Sequence, residues 1–454
     1  MRKIALALTF SVLSFLVVAS TVTLLAADNN WVSKAGMHEG RSDLGVATVD
    51  GKIYAIGGIK KGGFSSYSEQ YDPAGDSWTY KASMPTSRSA FGIAVFENKI
   101  YCIGGYTLLS GKLGATAANE VYDPATDTWE TKASMPTPRI NVEANVVNGK
   151  IYVFGGSGFG ERANETLNQV YNPATDSWTT KAPVPTAVPS YASAVIGTKI
   201  YVFTSRLTQI YDAQNDSWSL GAPAPSPVML AKAASTAGLD APERIYVFGA
   251  DAKEPYWQLT TEGFITQSYN PQNDSWALCP SMPAGRYDVG VGVIGDLIYT
   301  IGGFTTKFNS ESYFDLNPIY IYSSENQRYT PIGYGTVPPT ITFLSPNNTT
   351  YSSGNISLVF MTNKPVVWQA YSFDDQEKTP LTGNITLTDI PSGLHSITVY
   401  ATDPLGKNAT PQTIMFRIAS PETPATVPSI AVGSAIAVVF VAALMYSKRL
   451  KNRT

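Results

Sequence analysis

The 454-residue sequence predicts an all-β protein with a ring of six four-stranded units, a small β-sandwich and a single C-terminal transmembrane helix. Three observations predict this organisation. Trp and Tyr recur at similar intervals between residues 31 and 336, short alternating runs follow from 337 to 419, and residues 427–446 carry no charge. The 37 Gly and 30 Pro residues fit short strands that are joined by many turns.

Composition excludes several classes of function. The 32 basic and 35 acidic residues give a formal net charge of −3, so a basic nucleic-acid-binding surface is not expected. Two Cys and two His are too few for a Cys/His zinc cluster or a disulfide scaffold. We therefore predict neither a metal nor a cofactor.

Four residue types at fixed offsets define the repeat. Residues 71–78 read Tyr-Asp-Pro-Ala-Gly-Asp-Ser-Trp, and an Ile-Tyr pair, a Gly-Gly doublet such as Gly104-Gly105, and an Arg ten residues after the Trp complete the pattern. The Arg positions are Arg41, Arg88, Arg139 and Arg286, with Val188 and Val228 in the other two units. The Trp positions are Trp31, Trp78, Trp129, Trp178, Trp218 and Trp276, with Tyr329 in a seventh place, and the Tyr positions are Tyr71, Tyr122, Tyr171, Tyr211, Tyr269 and Tyr322.

This register resembles the kelch repeat over about residues 31–336. The resemblance implies a six-bladed kelch β-propeller, in which each repeat is one four-stranded blade that buries its faces against its neighbours. The Gly doublets are expected where the backbone is crowded or needs a positive φ, and the Tyr and Trp rings are expected to pack between blades. We interpret these repeated residues as structural.

The closing of the ring needs a choice between the two ends of the repeat region. The segment that begins at Trp31 matches the segment that begins at Trp78 more closely than the one at Tyr329 does. We predict that the N-terminal Trp31 strand completes the last blade and that the chain from Tyr329 onward is an exit linker. The reverse assignment stays open at this point.

Residues 337–419 predict an immunoglobulin-like β-sandwich, similar to small domains of prokaryotic surface proteins, that serves as a spacer. Its six alternating runs are bounded by Pro, Gly, Asn and Asp, and no Cys pair lies within it. The runs cover residues 340–344, 356–361, 366–371, 385–388, 396–401 and 413–418.

The two ends of the chain predict its place in the cell. Residues 1–27 form a signal peptide or signal anchor, residues 420–428 a Pro/Thr linker, residues 427–446 a transmembrane helix and residues 447–454 a basic tail. The basic tail is predicted to be cytoplasmic, which makes this a single-pass cell-membrane protein with an extracellular propeller and sandwich. Asn-x-Ser/Thr sequons suggest glycosylation at Asn164, Asn347, Asn348, Asn355, Asn384 and Asn408.

Function is expected on the loops between the second and third strands of each blade, because these loops vary and share a face with the connections between blades. Aromatic and basic side chains there suit a glycan or a peptide with acidic groups. The candidate ligand-binding residues are Lys60, Lys61, Tyr106, Arg162, Arg206, Lys253, Tyr256, Trp257, Phe304, Lys307 and Phe308.

Catalysis is the alternative to recognition. Some kelch propellers are copper-radical oxidases, but His38 and His395 fall in separate modules and cannot build that site together. Other kelch proteins are sugar-acid epimerases, a role for which Glu161, Arg162, Asp251 and Glu254 are the available groups. We predict a membrane-anchored recognition protein with a protein or glycan ligand outside the cell, and no catalytic residue is assigned. A surface-anchored carbohydrate-active enzyme and a purely structural envelope protein remain the alternatives.

Overall fold

The computed structural model describes residues 28–158, 164–250, 264–307 and 319–420, and all the regular elements in these ranges are β-strands. The chain divides into two compact units, with the boundary between Pro338 and Pro339. The predicted signal segment, linker, transmembrane helix and basic tail lie outside the described residues. Within the described ranges, no helix is long and apolar enough to cross a membrane.

The first unit contains six four-stranded antiparallel sheets, which we call blades 1 to 6. Blade 1 consists of Gly45–Val49, Lys52–Ile56, Ser68–Asp72 and Ser77–Lys81; blade 2 of Gly92–Phe96, Lys99–Ile103, Asn119–Asp123 and Thr128–Thr131; and blade 3 of Ala144–Val147, Lys150–Phe154, Asn168–Asn172 and Ser177–Thr180. Blade 4 consists of Ala192–Ile196, Lys199–Thr204, Leu207–Asp212 and Ser217–Gly221; blade 5 of Met229–Ser235, Ile245–Ala250, Phe264–Asn270 and Ser275–Cys279; and blade 6 of Gly290–Ile294, Leu297–Ile301, Asn326–Thr330 and the N-terminal Asn30–Lys34.

The first-named strand of each blade is its inner strand. Each inner strand contacts the inner strands of both neighbouring blades, so the six strands surround a central channel. Between blades, apolar side chains form separate cores, for example Ile56 of blade 1 with Phe91, Cys102 and Tyr122 of blade 2. The predicted propeller of six blades is therefore the fold of the first unit.

A turn aspartate fixes the Tyr–Trp pair of the repeat in blades 1 to 5. In blade 1, Tyr71 lies opposite Trp78 on the neighbouring strand, and its Oη donates a 2.6 Å hydrogen bond to Asp76 Oδ1. Asp76 Oδ1 also accepts from the backbone N of Ala35 at 2.9 Å, and Trp78 Nε1 donates to the Ala35 carbonyl at 2.7 Å. In blades 2 to 5 the tyrosine of the repeat donates the same hydrogen bond to the aspartate five residues later, which is Asp127, Asp176, Asp216 or Asp274. The repeat thus links each blade to the one before it.

Blade 6 is closed by the N-terminal strand, as predicted, but the predicted role of Tyr329 is wrong. Asn30–Lys34 pairs with Asn326–Thr330 and places Trp31 opposite Tyr329, so Tyr329 occupies the Tyr position of the repeat and is not part of an exit linker. Tyr322, which the spacing assigned to that position, lies in an additional hairpin outside the blade. The error arises because the hairpin places a second tyrosine seven residues before Tyr329.

Among the described residues, three blades carry an additional two-stranded hairpin between their second and third strands. These hairpins are Ile59–Lys60 with Gly63–Phe64 in blade 1, Tyr106–Leu109 with Lys112–Ala115 in blade 2, and Phe304–Lys307 with Ile319–Tyr322 in blade 6.

The second unit consists of two sheets around one apolar core that includes Leu358, Ile397, Val399 and Phe416. All six predicted runs match a strand to within three residues at each end; the run at 366–371, for example, appears as Trp368–Phe373. The immunoglobulin-like classification stays a prediction. One sheet contains Ile341–Ser345, Ile356–Thr362 and Ile385–Leu387, and the other contains Thr350–Tyr351, Gln412–Ile418, Gly393–Thr402, Trp368–Phe373 and Thr379–Pro380.

Candidate functional site

The connections between second and third strands begin beside the central channel. Short backbone bridges join these connections to the residues that lead into the inner strands, as in the pairs Ser42 with Ile59 and Ser89 with Tyr106. Further bridges of this kind join Ile140 with Ser157, Ser205 with Val228, and Tyr287 with Phe304. We call this side of the propeller the loop face and the opposite side, with the aspartate turns, the turn face. The loop face is the side on which the blades differ from one another.

Six residues, one from each blade, surround the opening of the channel on the loop face. Backbone hydrogen bonds join several of these residues to the one in the neighbouring blade. For example, Asp43 N donates to the Asp288 carbonyl at 3.0 Å and Ala90 N donates to the Asp43 carbonyl at 3.1 Å. Asp43 and Asp288 have φ values of 51° and 49°, in the left-handed region. These residues, which we call the channel mouth, are Asp43, Ala90, Asn141, Ser190, Leu230 and Asp288.

The second layer of the channel lies two residues further along each inner strand. In four blades this position holds Gly or Ala, whereas blade 3 has Glu143 and blade 5 has Lys232. The Glu143 and Lys232 side chains form an ion pair between these two non-adjacent blades. Small residues in the other blades leave the space that this pair occupies.

The channel mouth and the ion pair enclose a cavity of about 150 Å³. Three carboxylates, those of Asp43, Asp288 and Glu143, face the single ammonium group of Lys232 there. The buried Tyr191 hydroxyl donates to the Phe154 carbonyl at 2.9 Å and accepts from the backbone N of Glu143 at 3.1 Å, which fixes the wall beside Glu143.

Enclosure perturbs these groups strongly. Burial raises the pKa of Asp43 to about 6, although Lys232 acts in the opposite direction. Burial, together with the negative charge of Asp43, raises the pKa of Asp288 well above its usual range. Burial alone would lower the pKa of Lys232, but Glu143, Asp43 and Asp288 together raise it. Perturbed titratable groups in a cavity are characteristic of functional sites.

The hairpin of blade 2 exposes three leucines on the loop face, and the hairpin of blade 6 exposes Ile319, Tyr320 and Ile321 to a similar extent. Leu108 and Leu113 lie directly opposite each other on its two strands and are 56% and 48% exposed, and Leu109 is 47% exposed. Its base is fixed: Tyr106 and Ser89 exchange backbone hydrogen bonds of 2.8 and 3.0 Å. Large exposed apolar side chains on a protruding element are typical of an interaction surface.

Four of the sequence-predicted ligand residues lie on the loop face with defined surroundings. Lys60 is paired with Glu39 at 2.8 Å, and Lys61 is exposed in the turn of the blade 1 hairpin. Tyr106 packs edge-on against Phe64, and Arg206 donates to the Pro225 carbonyl at 2.6 Å. The structure thus distributes these four around the rim, and Lys60, Tyr106 and Arg206 are held by neighbours.

The remaining predicted ligand residues divide into two groups. Phe304 is only 8% exposed and packs against Tyr287 and Tyr320, while Lys307 ends the strand Phe304–Lys307. The other predicted positions lie outside the described residues, and their role in ligand binding stays a prediction. They are Arg162, Lys253, Tyr256, Trp257 and Phe308, and the epimerase candidates Glu161, Asp251 and Glu254 also lie there.

The arginines of the repeat are structural. Arg139 is fully buried and donates to the Gly155 carbonyl at 2.6 Å and to Gln169 Oε1 at 2.8 Å. Arg41 is likewise buried and donates to the Glu69 carboxylate at 2.8 Å. In blade 4, where Val188 replaces the arginine, Gln209 Oε1 accepts from the backbone N of Thr186 instead. These arginines hold the Gly doublets and the third strands together.

Histidine, cysteine and acidic side chains form no group of three that could hold a metal ion in the described parts of the chain. His38 contacts Glu69 at 2.6 Å in the first unit, and His395 contacts Asp374 at 2.8 Å in the second. Cys102 is buried and Cys279 is half-buried, and both are free. No described residue is assigned to catalysis.

The sequon asparagines of the second unit are exposed, which is a requirement for a glycan acceptor. Asn355 Oδ1 accepts weakly from the backbone N of Asp389 at 3.3 Å, and Asn408 Oδ1 accepts from Thr402 at 2.7 Å. Asn164, in the propeller, is half-buried. The exposed positions are Asn347, Asn348, Asn355, Asn384 and Asn408.

Sequence reasoning missed the four charged residues of the channel. A signal was available: at the second-layer position the blades read Gly45, Gly92, Glu143, Ala192, Lys232 and Gly290, so two charges interrupt a series of small residues. A comparison of this position across the six inner strands shows Glu143 and Lys232 as the two charged exceptions, and it would have identified the pair.

Two protein-family models agree with this architecture. A model of the kelch motif matches residues 40–85, and a model of the Attractin/LZTR1 β-propeller matches residues 100–351, more than half of the chain. No curated protein matches the chain. A solved structure titled "Structure of YjhT" is similar with a TM-score of 0.48 and 18% identity, over 60% of this chain and 92% of that one. The blade topology and the family match lead to one conclusion: the chain belongs to the Attractin/LZTR1 β-propeller family and carries kelch motifs.

Proposed function

We propose that this protein is a membrane-anchored recognition protein that binds a protein ligand outside the cell through the loop face of its propeller. Membership of a kelch β-propeller family supports protein binding in general. The observation that carries the more specific proposal is the blade 2 hairpin, which presents Leu108, Leu109 and Leu113 to solvent on the loop face.

The blade 2 hairpin combines exposed apolar side chains with a restrained backbone. Exposed leucines lose the favourable transfer free energy that burial would supply, so a fixed element that displays three of them is best explained by a partner that covers them. The base of the hairpin is restrained by the Ser89–Tyr106 backbone pair and by the 2.6 Å hydrogen bond from Thr107 Oγ1 to the Ser87 carbonyl. A preorganised apolar element binds with little loss of conformational entropy.

The turn face supports the assignment by contrast. Its turns repeat nearly the same residues in each blade, and Asp76, Asp127 and Asp176 are engaged in linking adjacent blades. A surface that repeats and serves blade packing offers little to distinguish one ligand from another, whereas loops that vary on a fixed scaffold do.

Sequence supports the membrane and extracellular parts of the proposal. The uncharged residues 427–446 would span about 30 Å as a helix, which matches the hydrocarbon core of a bilayer. The basic tail after this segment favours a cytoplasmic C-terminus. The exposed sequons of the second unit fit a surface that passes through the secretory pathway.

Site-specific photo-crosslinking in intact cells tests the proposal. A photoreactive amino acid replaces Leu113 on the loop face of the full chain, and a matched variant carries it at the exposed Ala125 in a turn-face loop. We expect discrete crosslinked protein species from position 113 that are absent from position 125. Crosslinks only from position 125, or none from position 113, would contradict recognition through the loop face.

A further inference from the structure

We infer that the loop face accepts a protein segment in which a lysine or arginine side chain enters the channel mouth while neighbouring apolar side chains pack on the blade 2 hairpin. This inference rests on the proposed function and specifies the chemistry of its partner. Two independent features carry it: the charge balance of the channel mouth and the exposed leucines next to it.

The charge balance favours a cation. Lys232 is paired with Glu143, and among the described residues neither Asp43 nor Asp288 has an ion-pair partner within 4.0 Å. The two aspartates come from adjacent blades, and the Asp43 N to Asp288 carbonyl hydrogen bond of 3.0 Å holds their backbones together. The cavity holds three carboxyl groups and one ammonium group, and this excess of acidic groups in a partly desolvated site attracts a positive group and repels an acidic one.

The dimensions of the site select a side chain. The cavity of about 150 Å³ corresponds to roughly five water molecules, which suits the end of a lysine or arginine side chain and not a folded domain. The apolar atoms of Leu230 and Ala231 line the same cavity and can contact the methylene groups of such a side chain. Because the chain's own Lys232 ammonium already lies in this cavity, the walls accommodate that group.

The base of the hairpin is joined to a neighbour of the channel mouth. Tyr106, the first residue of the hairpin, is hydrogen-bonded to Ser89, whose neighbour Ala90 lines the channel mouth. A peptide that inserts one basic side chain into the mouth would therefore place its flanking residues near Leu108 and Leu113. This arrangement of a charged anchor and an apolar contact gives both orientation and affinity.

The experiment measures binding of four synthetic peptides to the full chain in detergent micelles by fluorescence polarisation. Each peptide has two leucines on either side of a central residue, which is lysine, arginine, norleucine or glutamate. We expect the lysine and arginine peptides to bind at least about tenfold more tightly than the norleucine and glutamate peptides, because hydrogen bonds to charged groups contribute that much. Equal binding of the norleucine peptide, or no binding of the basic peptides at concentrations up to about 1 mM, would overturn the inference.

Variants assign the effect to the two features. The double variant Asp43→Asn, Asp288→Asn should lose the preference for a basic residue, and Leu108→Ser with Leu113→Ser should weaken all four peptides by several-fold. Asp123→Asn, at the start of a turn-face loop, is the control and should bind as the unmodified chain does, with matched circular dichroism spectra. Retention of the basic preference in the double aspartate variant would also overturn the inference.

The two proposals fail in distinguishable ways. If position 113 crosslinks to a protein but the basic peptides show no preference, recognition through the loop face stands and the basic anchor is wrong. If position 113 gives no crosslink, the proposed function fails whatever the peptides show.

Discussion

Tyr329 Oη donates a 2.6 Å hydrogen bond to Asn29 Oδ1, which joins two residues that are 300 positions apart. In the other blades the same bond runs from a tyrosine to an aspartate five residues later, as from Tyr71 to Asp76. Asn29 has a φ of 59° and Asp76 a φ of 45°, so both residues use the left-handed conformation that Asn and Asp tolerate. The bond that closes the ring is therefore equivalent to the tyrosine–aspartate bond of the repeat, with the tyrosine from the C-terminal end of the propeller and the asparagine from its N-terminal end.

The first prediction concerns this closure. Trp31→Ala removes ring contacts with Tyr329 at 5.0 Å and Phe248 at 5.8 Å and the 2.9 Å hydrogen bond from Nε1 to the Pro280 carbonyl. We expect it to lower the free energy of unfolding by about 3 kcal/mol, measured by urea unfolding of the full chain. Asn29→Ala should lower it by about 1 kcal/mol.

The exposed Ser33 of the same strand is the control, and Ser33→Ala should leave the unfolding midpoint unchanged. If Trp31→Ala were no more destabilising than Ser33→Ala, the N-terminal strand would not be closing the ring in solution.

The second prediction tests the glycine doublets. Gly104 has a φ of 70°, and a Cβ there would lie 2.9 Å from the Arg139 carbonyl oxygen. Gly104→Val should therefore lower the free energy of unfolding by more than about 1 kcal/mol, because backbone strain and steric overlap add. Gly111, in the blade 2 hairpin, also has a positive φ of 80°, but a Cβ there would meet no atom within 4 Å.

Gly111→Val is therefore a matched variant with strain and without overlap, and it should be the less destabilising of the two. The measurement is the shift in thermal unfolding temperature of each variant. Equal shifts would mean that close packing at the doublet plays no role.

The fold was predictable from sequence because its determinants are periodic. Most blades repeat the same Tyr, turn Asp, Trp and Gly doublet, and the structure confirms positive φ at Gly57, Gly104 and Gly302. The assignment of the repeat positions was wrong only at Tyr322, where an inserted hairpin places a tyrosine at the spacing of the repeat. A single spacing cannot distinguish a blade strand from such a hairpin. Hydrogen bonding to Asn29 identifies Tyr329, and that contact joins opposite ends of the propeller.

The candidate site was less predictable for the opposite reason. Strand alternation correctly placed the second-to-third connections on one side, where they begin beside the channel, and the binding role of that side stays a prediction. The charged residues of the channel, Asp43, Glu143, Lys232 and Asp288, lie in four different blades and are separated by up to 245 positions in sequence. Only ring closure brings them together, so no local motif could indicate their proximity.

The third prediction concerns topology. Because the basic residues follow the uncharged segment 427–446, protease added to intact cells should remove the propeller and the second unit and leave a protected C-terminal fragment. An epitope tag after Thr454 and antibodies to the propeller follow the two parts by immunoblot. Cells permeabilised with detergent are the control, in which the C-terminal tag should also be lost. A propeller that resists protease in intact cells would contradict the extracellular assignment.

The fourth prediction follows from the raised pKa of Asp43. The folded state, in which this pKa is about 6, binds the proton more tightly than the unfolded chain, in which it is about 3.9. Asp43 therefore destabilises the fold progressively as pH rises from about 4 to about 6, and fully above that range. Asp43→Asn removes this effect and should raise the free energy of unfolding by about 1–3 kcal/mol at about pH 7.5, with little gain at about pH 4.

Urea unfolding at several pH values checks this prediction, with Asp123→Asn on the turn face as the control. A gain that is the same at both pH values would show that packing, and not the charge of Asp43, is responsible. A loss of stability at pH 7.5 would contradict the assignment of Asp43 as a desolvated carboxylate.

The last prediction is an asymmetry between the partners of the channel ion pair. Lys232→Met leaves Glu143, Asp43 and Asp288 in one cavity without a cation, whereas Glu143→Gln leaves Lys232 with two other carboxylates nearby. Removal of one partner from a fully buried pair costs about 3–5 kcal/mol, and because Lys232 and Glu143 are 22% and 16% exposed, Lys232→Met should cost less than that at about pH 7.5 and Glu143→Gln less again. The loss in Lys232→Met should shrink at about pH 5, as the carboxylates become protonated. A double-mutant cycle with both substitutions measures the coupling, and equal losses in the two single variants would show that the aspartates of the channel mouth do not interact with Lys232.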